Sequence, residues 1–156
     1  MADNCPRLEE TADAGLIAGL WQASYRGTAA TVWPLVEIAK TLRQPATLAL
    51  IGGPAGGPAG GFILARQTAD EGEILALGTL PQARRQGLAL SLVGHLRDHL
   101  AARGAGRLFL EVAVDNAAAR ALYGRCGFAV VGSRPGYYKG AGGLIMALDL
   151  SAEREG

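Results

Sequence analysis

Only two cysteines occur, Cys5 and Cys126, too few for a disulfide framework or a four-ligand zinc site, and so far apart they read as reduced thiols. Charge is scarce and balanced: 15 Lys and Arg against 14 Asp and Glu leave a net +1. That field is too weak to gather nucleic acid or an anionic membrane surface. No uncharged apolar run reaches membrane-spanning length, and residues 1–10 carry acids and a proline where a signal peptide needs a basic start and an apolar stretch. The expectation is a soluble cytoplasmic protein that is not exported, with no nucleic-acid or membrane partner. A Walker loop is excluded because no G-x-x-x-x-G-K-[ST] occurs. His95 and His99 lie four apart, as a metal would want, but there is no H-E-x-x-H and no third histidine, so they read as a polar helix flank and no metal is expected.

What the chain does have is core. With 49% hydrophobic residues in 156, it suits one folded domain over residues 1–156 rather than a solvated coil. Its 23 glycines and 7 prolines follow no collagen-like period, so the excess belongs in turns and loops.

Residues 7–10 read as a short strand, and 12–25 as an amphipathic helix carrying Leu16, Ile17, Leu20 and Trp21 with Asp13 as cap. A second helix over 33–43 has Pro34 in its first turn and ends before Pro45. Strands are predicted at 47–51, 62–66, 73–80, 107–114, 128–131 and 144–148. Helices are predicted at 87–103, with an apolar stripe of Leu88, Leu92, Leu96 and Leu100, and at 116–125, with Asp115 as cap and Gly127 as left-handed terminus. This is an α+β order around a mixed sheet. Between the second and third strands lies GGPAGGPAGG, residues 52–61. A strand rather than a helix follows, so it reads as a flexible hairpin loop and not a dinucleotide fingerprint.

Pro81-Gln82-Ala83-Arg84-Arg85-Gln86-Gly87-Leu88-Ala89 joins a strand to a helix. Consecutive backbone N–H groups at a helix N-terminus, a glycine permitting close approach and two arginines make a pyrophosphate-binding loop. Taken alone, the same residues also fit two exposed arginines before an ordinary helix. The R-x-x-G-x-A pattern resembles the coenzyme A loop of the GNAT superfamily of N-acetyltransferases. Residues 110–128, LEVAVDNAAARALYGRCGF, resemble that superfamily's second signature, L-E-V-x-x-x-N-x-x-A-x-x-L-Y-x-x-x-G-F. With residues 134–138, RPGYY, and 145–148, IMAL, the chain is most similar to the RimI-type branch, acetyltransferases of the N-terminal alanine of a small-subunit ribosomal protein. The resemblance runs from about residue 61 to 150.

It implies a three-layer GNAT-like fold with helices on both faces of the sheet, and acetyl-CoA as co-substrate. The cofactor would lie along Leu77, Gly78 and Thr79, then Arg84, Arg85, Gln86, Gly87, Leu88, Ala89 and Leu90, with Asn116 as a further contact. Glu111 matches the acceptor of the amine proton and Tyr123 the proton donor to the departing thiolate. Tyr137 and Tyr138 match residues lining the peptide's entry. The implied partners are acetyl-CoA and a ribosomal N-terminal peptide or another amine, in a monomer or weak homodimer.

Each residue also has a plainer reading. Glu111 shares a strand face with Phe109 and Ala113 and fits a solvated position, Tyr123 fits a core tyrosine, Asn116 and Asp115 fit helix caps, and Tyr137 and Tyr138 fit strand packing. Cys126 reads as a small buried hydrophobe with no adjoining base. Three departures stand out: Ala89 replaces the commoner final glycine, Gly78-Thr79 replaces Ala-Val, and residues 139–144 replace an acidic turn. Gly78 is expected to loosen the strand beside the acetyl group. Two alternatives stay open, an acetyltransferase for a small-molecule amine and a weakly catalytic acetyl-CoA-binding module.

Overall fold

The computed structural model describes residues 6–28, 31–135 and 142–150. In chain order they form β1 (Arg7–Glu10), α1 (Ala14–Ser24), α2 (Leu35–Leu42), β2 (Thr47–Gly53), β3 (Gly61–Thr68), β4 (Glu71–Thr79), a 3-10 turn (Pro81–Ala83), α3 (Leu88–Ala102), β5 (Arg107–Ala113), α4 (Ala117–Arg125), β6 (Ala129–Arg134) and β7 (Gly143–Asp149). The strands make one mixed sheet in the order β1-β2-β3-β4-β5-β7-β6. Two compact units share β4: Met1–Arg66 with Leu75–Leu96, and Gln67–Ile74 with Arg97–Gly156.

In the first unit, β2 runs antiparallel to both β1 and β3, with Gly52 opposite Gly61 across the predicted hairpin. Nearly every residue of β2 and the first five of β3 are buried, the mark of strands covered on both faces. One face carries Ala49, Ile51, Phe62, Leu64 and Ala76, and on it α1 and α2 lay Ile17, Leu20, Trp21 and Ile38. On the other face, the Leu88 methyls at the start of α3 close over Gly52 and Gly61. Helices therefore cover both sides of this sheet segment. Asp13 caps α1, its carboxylate accepting from the Leu16 amide at 3.1 Å, which satisfies one of the helix's orphan donors.

In the second unit, β4 pairs in parallel with β5 through Glu71–Arg107, and β5 pairs antiparallel with β7 over its full length. Leu108, Leu110 and Val112 point into the core while Phe109, Glu111 and Ala113 face the other way, half-buried. The edge pair of β6 and β7 carries a register shift between Val130 and Gly132. The cap of α4 corrects the sequence reading: Asn116, not Asp115, is the N-cap, accepting from the Ala119 amide at 3.2 Å. At the other end Gly127 takes φ +99°, and the Phe128 amide donates to the Tyr123 carbonyl at 3.0 Å, a Schellman closure that needs the left-handed residue. Among the described residues, no helix is long and apolar enough to cross a membrane.

Candidate active site

The loop between β4 and α3 is built from alternating hands of backbone. A 3-10 turn begins at Pro81, Arg84 is extended, Arg85 turns left-handed at φ +65°, and Gly87 does so again at φ +78°. A left-handed arginine is a costly conformation, of the kind proteins keep where amides must be aimed. The Ser91 N–H donates to the Gly87 carbonyl at 3.0 Å where α3 begins, so the amides of Leu88, Ala89 and Leu90, which precede it, have no acceptor within the helix. Together with the left-handed turns at Arg85 and Gly87, they leave a run of backbone donors at the start of α3, the kind of group that binds an anion at a helix N-terminus. Leu88 is buried, Ala89 half-buried and Leu90 exposed. Gln86 is exposed and its amide donates to the Gln82 carbonyl at 3.1 Å.

The two arginines do different work. The Arg84 guanidinium donates to the Ser24 carbonyl at 3.0 Å and the Thr79 carbonyl at 3.3 Å. It thus ties the C-terminal end of α1 to the end of β4. Arg85 is exposed, with no partner among the described residues.

Leu77 and Gly78 are buried and Thr79 half-buried. The Tyr25 hydroxyl donates to the Leu77 carbonyl at 3.2 Å, and burial pushes its pKa above the ordinary value near 10, partly offset by that bond. Gly78 is a point of close approach. A Cβ there would lie 2.7 Å from the Ser24 Cβ and 2.9 Å from the Phe62 ring, so the glycine is what lets α1 come down onto β4. Ser24, Tyr25 and their bonds were missed by the sequence reading. Tyr25 was visible as a helical-face residue, four after Trp21, but its acceptor lies 52 residues away.

In the second unit, Glu111 on β5 forms an ion pair with Arg134 on β6, Oε1 to Nε 2.9 Å, across the intervening β7. The Glu111 side chain is 22% exposed, so it is neither fully solvated nor sealed. Arg134 stands in the sequence only as the first residue of RPGYY, and the pair has no signal in sequence. Tyr123 is half-buried and meets Phe128 edge-on with ring centroids 5.8 Å apart. Asn116 is exposed; capping uses its carbonyl oxygen and leaves the amide nitrogen able to donate. Burial pushes the Cys126 thiol up from its ordinary value, opposed by Arg125 and Arg97, which keeps it a thiol near neutrality. His95 is exposed and His99 half-buried on α3. No group of three or more His, Cys, Asp or Glu suited to a metal occurs among the described residues. Tyr137 and Tyr138 lie outside the described residues.

Comparison with known proteins agrees with the motifs. Residues 17–128 match the model of the acetyltransferase (GNAT) family. The chain belongs to that family, whose members use acetyl-CoA. It is 39% identical over 94 residues to the ribosomal protein bS18-alanine N-acetyltransferase of Escherichia coli, covering 58% of this chain and 64% of that protein. The match thus spans somewhat under two thirds of that relative's length. It is 37% identical over 113 residues to the N-alpha-acetyltransferase RimI of Mycobacterium tuberculosis, covering 70% of each. The crystal structure of the Escherichia coli ribosomal-protein-S18-alanine N-acetyltransferase superposes with a TM-score of 0.81 at 29% identity over 94% of both chains. The predicted α+β GNAT fold is therefore the observed one.

Proposed function

We propose that this protein transfers an acetyl group from acetyl-CoA to the N-terminal alanine of a small-subunit ribosomal protein. The observation that supports it best is the loop over residues 84–90, with left-handed turns at Arg85 and Gly87 and first-turn amides that have no acceptor within the helix, joined in one chain to the second signature. The family match runs through both units, which supports reading residues 1–156 as one transferase domain. The proposal includes a cytoplasmic site of action, because the acceptor is a ribosomal protein.

Acetyl-CoA supplies an activated thioester. The chain's task is to present a neutral amine, hold the oxyanion and protonate sulfur. An α-amino group with pKa about 8 is roughly one-tenth neutral near pH 7, whereas a lysine amine at about 10.4 is neutral less than once in a thousand. A modest base therefore suffices. In this reading Glu111 takes the proton, directly or through water, as the amine nitrogen bonds to the acetyl carbon. Arg134 holds one carboxylate oxygen in place. Backbone N–H groups of residues 77–79 are the oxyanion donors. As the carbon–sulfur bond breaks, Tyr123 gives its proton to the thiolate: a phenol of pKa about 10 still carries its proton at neutral pH, the transfer to a thiolate whose acid has a pKa about 8.5 is modestly uphill within the hydrogen bond, and the phenolate then regains a proton from solvent. Transfer is direct, with no acyl-enzyme. Tyr137 and Tyr138 are assigned to the peptide's entry on the motif match alone.

The test is mass-spectrometric acetyl transfer to two copies of a lysine-containing ribosomal N-terminal peptide, one with free alanine and one blocked. Acetylation of the free copy alone is expected. Transfer to lysine in both overturns N-terminal specificity. Transfer to neither, with turnover on a small amine, overturns the peptide substrate, and binding of acetyl-CoA without turnover on any amine overturns the enzyme.

A further inference from the structure

The glycine–proline repeat plays no part in the chemistry above, yet its base is packed into the cofactor loop. Gly60 is buried, its N–H donates to the Gly52 carbonyl at 2.7 Å, and its carbonyl accepts from the Leu80 amide at 2.8 Å. The residue before Pro81 thus hangs on the hairpin. A Cβ at Gly60 would stand 2.9 Å from the Ala83 Cβ in the 3-10 turn. One at Gly61 would stand 3.0 Å from both the Leu88 methyl and the Gly78 carbonyl, and one at Gly52 would stand 2.9 Å from the other Leu88 methyl. Ala83 has no flexible side chain to swing away, so relief of that contact has to come from backbone. The tip differs, for Gly56 has no atom within 4 Å of its Cβ position.

We infer that Gly60 and Gly61 are positioning residues for acetyl-CoA: the base of the hairpin sets the height of residues 80–88 and so the aim of the pyrophosphate-binding amides. The inference rests on the reading of that loop as the coenzyme A site. A shift of a few tenths of an ångström at Ala83 is carried into Arg85 and Gly87, two and four residues on, where the left-handed turns fix the direction of the donors. Glycine is required at the base by contact, and the remainder of the repeat connects the strands.

The experiment is calorimetric titration of CoA into the wild type and variants, with thermal melting alongside. Gly60→Ala should weaken CoA about three- to tenfold, since orientation of such donors is sensitive to sub-ångström displacement. Ala83→Gly in the same chain should restore most of the affinity by removing the opposing methyl. Gly56→Asn, which keeps a residue tolerant of positive φ at the tip, should bind as the wild type does. Ala83→Val enters the same contact from the half-exposed turn, and it should weaken CoA even where Gly60→Ala fails to fold. Wild-type affinity in both folded Gly60→Ala and Ala83→Val overturns the inference, as does an affinity loss that Ala83→Gly leaves untouched. A wild type that binds no CoA overturns instead the reading of the loop, and the inference with it.

Discussion

Arg84 and Arg85 are neighbours of equal charge, and the structure predicts opposite consequences of losing them. Arg84→Ala removes the bonds to the Ser24 and Thr79 carbonyls. A hydrogen bond from a charged group contributes about 1.5–3 kcal/mol when sheltered. Arg84 is an exposed residue and its second bond is long, so about 1–1.5 kcal/mol is a fair total for the pair. In a chain of 156 residues that lowers Tm by about 2–5 °C. Arg85→Gly relieves a left-handed conformation costing roughly 1 kcal/mol and loses about 0.5–1 kcal/mol to the greater freedom of glycine in the unfolded chain. The melting temperature should therefore barely move. Its charge is another matter: a cation about 5 Å from a phosphate in a water-like medium contributes about 1 kcal/mol, roughly fivefold in Kd, and salt screens it. The assay is thermal melting of both variants with CoA titrations at low and high salt. Arg85→Gly should melt like the wild type and lose salt-sensitive affinity, whereas Arg84→Ala should melt lower with a salt dependence unchanged from wild type. An Arg84→Ala protein with wild-type Tm and a salt-dependent affinity loss would refute this division of labour.

Gly78→Ala drives a methyl onto Ser24 and Phe62 and should cost about 1–3 kcal/mol by overpacking, read by urea denaturation; an unchanged midpoint would show that α1 can lift off β4 freely. Tyr25 has a pKa raised by burial, so its folded form holds its proton more tightly than the unfolded one. Its contribution is full below about pH 10, the unfolded value, and is lost as pH rises through the higher folded value. Tyr25→Phe should flatten that alkaline fall in stability and cost about 1 kcal/mol at neutral pH through loss of the bond to Leu77. Glu111→Gln and Tyr123→Phe should each lower turnover without lowering Tm by more than a few degrees, since a part-exposed ion pair contributes at most about 1 kcal/mol and the Phe ring keeps the edge contact with Phe128. Wild-type turnover in both would remove their proposed roles.

The elements were legible because each carries a local cause. Asp13 could be read as a cap, Gly127 as a left-handed terminus and residues 52–61 as a hairpin, and all three stand in the structure. Asp115 was misread because two adjacent side chains could each cap α4, and only the backbone path selects Asn116. The close approach at Gly78 was hidden for a different reason. A strand glycine signals either slack or close approach, and the choice depended on Ser24, 54 positions earlier in the chain (78 minus 24).

By itself, then, the sequence determined the order of helices and strands, the family and the residue types available for acetyl transfer, because periodicity, capping and motif spacing act over a few residues. Tertiary structure alone decided which of those residues are already committed. Arg84 is held by α1, Glu111 by Arg134, and Gly60 by the Leu80 amide and the Ala83 methyl. A charge or a glycine announces what it can do, whereas the partner that takes up that capacity is brought from a distant part of the chain by the packing of the sheet.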